Sequence, residues 1–442
     1  MNARAGTSTR ARAGAPVGVP AAVAASVLMM FSGCVTETVP RSPRGLPAQR
    51  VTGGKSLKPA PGEPASLPTG PVVRPVTGDH VVGSHVVVAV RPMGTVPFDG
   101  LTLPMISPDG RFAAVQLGEA PSWATVLAVP GASVSRTSVR VFDLSVSPPR
   151  AVEFGPGAGG AEVGLMLGRD ADDRGVLVES HRADGSRWIG KLAWRTGEVE
   201  WLARDGRVSA HGVLGPAGEL VFTRREVDGE GADLVVSAAG GGGEHETVLN
   251  APDAASSFEF PCVSGSGRTV LVFVVSPKGL EARAYPLGGG ETGGAGTVPV
   301  TARRVLSSSG DPMQAYQAVA AVQPQRADAP SDDVFRFHHP TMGRMVLFDA
   351  ASGQMTTLAE RSIAGVRDPG TGGVFLTTPR GLVHQGLATG DAGVTAVPEA
   401  RVLGDSWVAR RTTSVASPYV LIGPGPKGQP GTLQLTAMEI VR

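Results

Sequence analysis

The stretch Met105-Ile106-Ser107-Pro108-Asp109-Gly110-Arg111-Phe112-Ala113-Ala114-Val115 constrains this chain most, because it sets a tight turn between two apolar runs. Asp109-Gly110 can supply the positive backbone angles of a hairpin corner, and Pro108 fixes the start of the turn. Phe112 onward opens a strand whose side chains go to both faces of a buried sheet. The cadence returns along the chain. Residues 163–167, 175–179, 188–194 and 199–202 repeat it around Asp184-Gly185; residues 212–214, 220–223 and 234–236 repeat it around Pro216-Ala217-Gly218-Glu219. Residues 258–263 and 270–275 flank Ser264-Gly265-Ser266-Gly267-Arg268, and weaker units end at residues 345–358, 366–384 and 402–441.

A chain of 442 residues with 61 Gly and 37 Pro is rich in turns, and a hydrophobic fraction of 41% lets it bury a core. Units of roughly 40 to 60 residues with four strands apiece have the period and content of propeller blades. The expected fold class is therefore all-β: a β-propeller of seven four-stranded blades, or six if two weakly marked units merge. A pair of β-sandwiches is the rival, since it too shows short strands at regular spacing. Ser107-Pro108-Asp109-Gly110-Arg111 followed by Phe112-Ala113-Ala114-Val115 resembles the Ser-Pro-Asp-Gly-(Arg/Lys) hallmark of TolB-type β-propeller repeats. One unit carries it in full, and the others keep its cadence. The resemblance implies a structural turn capping a blade's inner hairpin and brings no catalytic residue with it. An open ring would leave unpaired strand edges, so residues 85–90 are expected to complete the last blade alongside Leu433 to Leu435.

The N-terminus carries an address. Arg4, Arg10 and Arg12 precede an apolar and small-residue run over residues 15–31, and Ser32-Gly33-Cys34 follows. This is the order of a charged region, an apolar core and a small-residue cleavage site. A retained membrane anchor is the alternative. Phe31-Ser32-Gly33-Cys34 resembles the lipobox of bacterial lipoproteins, with Phe31 where that family usually has an aliphatic residue. The resemblance implies that Cys34 is acylated and becomes the mature N-terminus. Val35 rather than Asp follows it, which by the same resemblance points to the periplasmic face of the outer membrane. Residues 34–82 hold no sustained apolar period and recur in Pro, Gly, Ser and Thr, the composition of a disordered, semi-extended tether. The organisation expected is a signal peptide over 1–33, a tether over 34–82 and a propeller over 83–442.

Chemistry is harder to find. Forty basic and 39 acidic residues leave a net charge of +1, too balanced to draw nucleic acid. Residues 155–160 and 288–293 match Gly-x-Gly-x-x-Gly, yet neither follows a strand and opens a helix, so neither presents helix amides to a phosphate. Asp170-Ala171-Asp172-Asp173-Arg174-Gly175 starts like a calcium loop, but Arg174 replaces an oxygen ligand and His181 stands where a bidentate Glu is needed. The pair His338-His339 points to opposite faces of a strand, a poor start for a metal site. Cys262, the partner Cys34 would lack once acylated, sits among apolar residues and reads as a small buried hydrophobe. No Gly-x-Ser-x-Gly elbow occurs. Trp123, Trp188, Trp194, Trp201 and Trp407 could stack on a sugar, and packing between blades is the plainer role for the middle three. No cofactor, metal or catalytic residue is expected. The functional expectation is a binding scaffold of the cell envelope, held to the membrane through Cys34 and facing an envelope protein or glycan. The alternative is a propeller enzyme acting on envelope polysaccharide or peptide, with carboxylates gathered at the ring's centre.

Overall fold

A computed structural model describes residues 78–81, 87–98, 102–118, 137–155, 164–238, 246–287, 299–307 and, with short gaps, 314–441. Cys34, the apolar N-terminal run, most of the tether, Trp123 and residues 288–293 lie outside the described residues.

The turn at Ser107 begins the first repeat. Met105–Ile106, Phe112–Leu117, Ser138–Asp143 and Arg150–Ala151 form a four-stranded antiparallel sheet in chain order, blade 1. The same meander recurs in residues 165–203, 208–249, 257–307, 325–360 and 364–395, blades 2 to 6. Blades 2 and 3 are joined by a single parallel bridge between Arg187 and Val208. Blade 7 takes Trp407–Arg410, Tyr419–Pro424 and Thr432–Val441 from the C-terminal part, and its fourth strand is Val87–Pro97. The chain thus closes seven blades into one ring.

The closing register differs from the one expected. Val87 to Val90 pair with Val441 to Met438, and Leu433 to Leu435 pair instead with Val96 to Gly94. The N-terminal strand runs on past Pro92 through a bulge between Pro92 and Gly94, where Gly94 takes φ of +128°, the kind of place at which a sheet tolerates proline. A further short strand, Gly78–Val81, pairs with Val87 to Val90 within the stretch read as tether.

The core lies between blades rather than inside any one of them. In Thr269–Ser276 every residue but the last is buried. Alternation sends Val270, Val272 and Val274 into a cluster with blade 3, and Leu271, Phe273 and Val275 into one with blade 5. In blade 1, Phe112 and Ala114 meet blade 2, while Ala113 and Val115 meet blade 7. A strand covered on both faces must be apolar at successive positions, which explains the continuous runs in the sequence.

The first strands of successive blades approach one another at the junctions of blades 1 to 5 and of blades 6 and 7, so they line the ring's axis. Ser107 Oγ donates to Asp109 Oδ1 at 2.6 Å and accepts from Phe112 N at 2.8 Å, and Gly110 takes φ of +64°. Blade 4 reproduces this turn with other letters: Thr269 N donates to Ser264 Oγ at 3.2 Å, Arg268 N to Ser266 Oγ at 3.1 Å, and Gly267 takes φ of +71°. Blade 3 keeps the turn's backbone bonds, Gly218 N to Gly215 O at 3.0 Å and Gly215 N to Glu219 O at 2.8 Å, with Gly218 at φ of +87° and Glu219 Oε2 accepting from Ala217 N at 3.0 Å in place of the serine bonds.

Candidate functional site

Three consecutive inner strands break their pairing at corresponding places. The register shifts between Leu167 and Ala171 in blade 2, between Ala210 and Val213 in blade 3, and between Glu259 and Cys262 in blade 4. Such bulges re-aim side chains and gather next to binding sites. Gly168 permits the first, since a Cβ there would stand 2.6 Å from the carbonyl oxygen of Leu177. At the other two, His211 and Phe260 hold φ of +57° and +49°, a left-handed backbone that is unfavourable for side chains of their size.

The bulges turn three side chains toward one place. The Arg169 guanidinium of blade 2 lies 4.5 Å from the ring centre of Phe260 in blade 4, and the His211 ring of blade 3 stacks on the same Phe260 at 4.1 Å. Two carboxylates hold His211. Its backbone N donates to Glu179 Oε1 at 2.8 Å, and its Nδ1 lies 3.1 Å from Glu259 Oε2. Glu179 also pairs with Arg187 at 3.2 Å, and Glu259 accepts from Ser257 Oγ at 2.8 Å. Burial lowers the Arg169 guanidinium to about 10, with Cys262, Glu179 and Asp170 pulling the other way. Burial and the Arg187 charge lower His181 to about 4, against Glu179.

Several residues singled out in the sequence serve other ends. Asp172 Oδ1 accepts from the amides of Arg174 and Gly175, both at 2.9 Å, and its other oxygen pairs with Lys191. Asp170 accepts from Leu214 N at 2.9 Å, tying blade 2 to blade 3. Among the described residues no group of three or more His, Cys, Asp and Glu could hold a metal ion. His339 Nδ1 lies 3.0 Å from Thr341 Oγ1, and His338 stands opposite Met345 in the next strand. Trp194 stacks on Phe112 of blade 1 at 6.1 Å and donates to Asp172 O at 2.8 Å, a packing role between blades. Arg182 lies over both Trp188 and Trp201, at 4.0 and 5.0 Å. Cys262 is buried in the cluster shared by blades 4 and 5. A groove on blade 3 is lined by Arg207, Arg224 and Arg225, but Glu226, Asp205 and Glu246, and the carbonyl of Gly229, already engage these charges.

Sequence reasoning missed Arg169, Glu179, His211, Glu259 and Phe260. The trace they leave is slight: Gly168, Gly212 and Pro261 each interrupt a strand pattern, the local mark of a bulge.

No protein-family profile and no curated protein matches the chain. Solved structures similar to it include the WD40 domain of Toxoplasma gondii coronin, at 9% identity over 83% of this chain and 90% of that one, with a TM-score of 0.48. TolB from Acinetobacter baumannii is 10% identical over 75% and 66%, with a TM-score of 0.36. A puromycin-hydrolysing peptidase from Mycobacterium tuberculosis is 14% identical over 82% of this chain and 54% of that one, with a TM-score of 0.42. The order of the strands, and the closure of residues 87–97 on residues 432–441, identify the chain as a seven-bladed β-propeller.

Proposed function

We propose that this protein is a binding scaffold of the cell envelope: a propeller carried on a Pro-rich tether from an acylated Cys34, on the periplasmic face of the outer membrane. The binding role is supported by the reach of Arg169 across blade 3 to Phe260, with one guanidinium nitrogen, Nη1, left without an acceptor among the described residues. A purely structural ring has little use for strained backbone at two adjacent inner strands; sites that bind ligands do. The anchoring role is supported by Phe31-Ser32-Gly33-Cys34 and the Pro-rich stretch behind it. Two acyl chains hold a protein firmly to a bilayer, whereas a nearly neutral propeller has little affinity of its own. Membrane fractionation of the Cys34→Ala protein, with cross-linking of the wild type in intact envelopes, tests both halves. Release of the variant and recovery of a discrete cross-linked species are expected. A variant that stays with the membrane and keeps residues 1–33 would mean a retained anchor instead.

One observation favours the enzyme reading: Glu179 and Glu259 both reach His211 near the ring's centre. Turnover of envelope glycans or peptides that is lost in Glu179→Gln and Glu259→Gln would establish it.

A further inference from the structure

Blade 2 holds hydrogen-bond donors with nothing to donate to. Among the described residues, Nη1 of Arg169 and Nε of Arg187 are buried donors with no acceptor, and Nε2 of His181, donor or acceptor according to tautomer, is likewise buried without a partner. All three belong to groups around Glu179, Arg187 through its ion pair and the other two through the field of the carboxylate. The acceptors nearby are occupied. Glu179 takes His211 N and Arg187 Nη1; Asp170 takes Ala171 N and Leu214 N; Glu259 takes Ser257 Oγ and faces His211 Nδ1. Buried donors are almost always bonded, so a surplus of this kind calls for an acceptor from outside. Arg169, His181, Arg187 and His211 are half-buried as residues, and the three unpartnered atoms themselves lie below the surface.

We propose that this cluster seats the carboxylate of a ligand, with Arg169 as its principal donor. The proposal rests on the binding reading of the ring and names the chemistry bound there. A guanidinium is a planar fork that matches a planar pair of oxygens, and the cluster holds two of them. His181, kept neutral by burial and by Arg187, can add a donor without adding charge in the tautomer that carries its proton on Nε2. The rings of Phe260 and His211 beside Arg169 offer a flat apolar wall to the carbon that bears the carboxylate. Glu179 and Asp170 act on Arg169 and Glu259 faces the neighbouring His211 ring, and this negative charge repels a dianionic phosphate more than a monoanion.

Calorimetric titration of the full-length protein in detergent at neutral pH tests this, with N-acetylalanine, its uncharged amide, inorganic phosphate and tetra-alanine as probes. Saturable binding of N-acetylalanine is expected, with none of the amide and weaker binding of phosphate. Arg169→Met should weaken it by roughly tenfold or more, and Arg169→Lys, which keeps the charge and loses the fork, by less. Tighter binding of tetra-alanine than of N-acetylalanine would identify a peptide C-terminus as the source of the carboxylate, and equal binding a small organic acid. The thermal transition of each variant shows whether it is folded; if Arg169→Met is not, Arg169→Lys decides. No carboxylate binding, equal binding of the amide, tighter binding of phosphate or unchanged binding by a folded Arg169 variant would each overturn the proposal. Envelope cross-linking is read separately, so a blank titration with cross-linking intact overturns the carboxylate seat and leaves the scaffold reading standing.

Discussion

Arg169 and Phe260 stand 91 residues apart and two blades apart, and the guanidinium of one lies 4.5 Å from the ring centre of the other. The contact passes the inner strand of blade 3, whose His211 stacks on the same ring. Three blades are thereby clasped on the axis side by side chains that their bulges aim.

The strain at His211 gives an inverted order of substitutions. Glycine in a strand is ordinarily less stable than alanine by about 0.5–1 kcal/mol. At φ of +57° the preference reverses, because only glycine adopts that backbone freely. Both variants lose the stack on Phe260 and the approach to Glu259, so the comparison isolates the backbone. Urea denaturation should show His211→Gly more stable than His211→Ala by about 1 kcal/mol. The opposite order would mean that the bulge relaxes when the ring is removed.

His181 should make the fold sensitive to mild acid. Burial first, then Arg187, lowers it to about 4 from the ordinary 6.5, with Glu179 opposing. The unfolded chain takes up this proton before the folded one does. The contribution is therefore complete above pH 6.5 and is lost as pH falls toward 4, to a total of roughly 3 kcal/mol. In His181→Gln that part of the slope should vanish from a series of urea melts across this window.

Between blades 4 and 5 the rings of Phe273 and Phe337 meet edge to face at 5.1 Å, both fully buried. Phe273→Ala leaves a cavity in the layer that joins two blades, and a loss of about 3–5 kcal/mol is expected from the denaturation midpoint. Cooperativity should survive, since each blade keeps its second neighbour.

Asp333, just before the second strand of blade 5, holds the blade 4 turn through Ser266, Thr269 and Arg268. Burial raises its carboxyl, but hydrogen bonds from Ser266, Ser264 and Thr269 and the Arg268 charge outweigh that and hold it below the usual range. Asp333→Ala should cost about 1–3 kcal/mol at neutral pH and less in acid, where the wild-type carboxyl is itself protonated.

The blades were legible in the sequence because a strand buried on both faces has to be apolar at successive positions, as Val270 to Val275 are, and because Ser107 to Arg111 supplies its own turn chemistry. Closure was legible as an idea and not as a register: Pro92 interrupts the strand's sequence pattern, yet Val87–Pro97 runs through it and so pairs farther along Thr432–Val441 than expected. The site was not legible. Arg169, His211 and Phe260 fall in three separate repeats, and spacing along a propeller chain says nothing of what meets at its axis. Only Gly168, Gly212 and Pro261 hinted that those strands would bend.

Ring closure is the claim on which the rest stands, since an open array would not hold blades 2, 3 and 4 in the register that joins Arg169 to Phe260. Deleting residues 87–97 from the full-length protein removes the fourth strand of blade 7 and the layer that Met93 and Val96 form with Leu433 and Leu435. Differential scanning calorimetry of this deletion is the most direct test. A closed ring predicts that the single cooperative transition of the parent is lost or falls by more than ten degrees, a loss spread over the whole domain. A deletion protein that melts with the parent's midpoint and enthalpy would contradict closure.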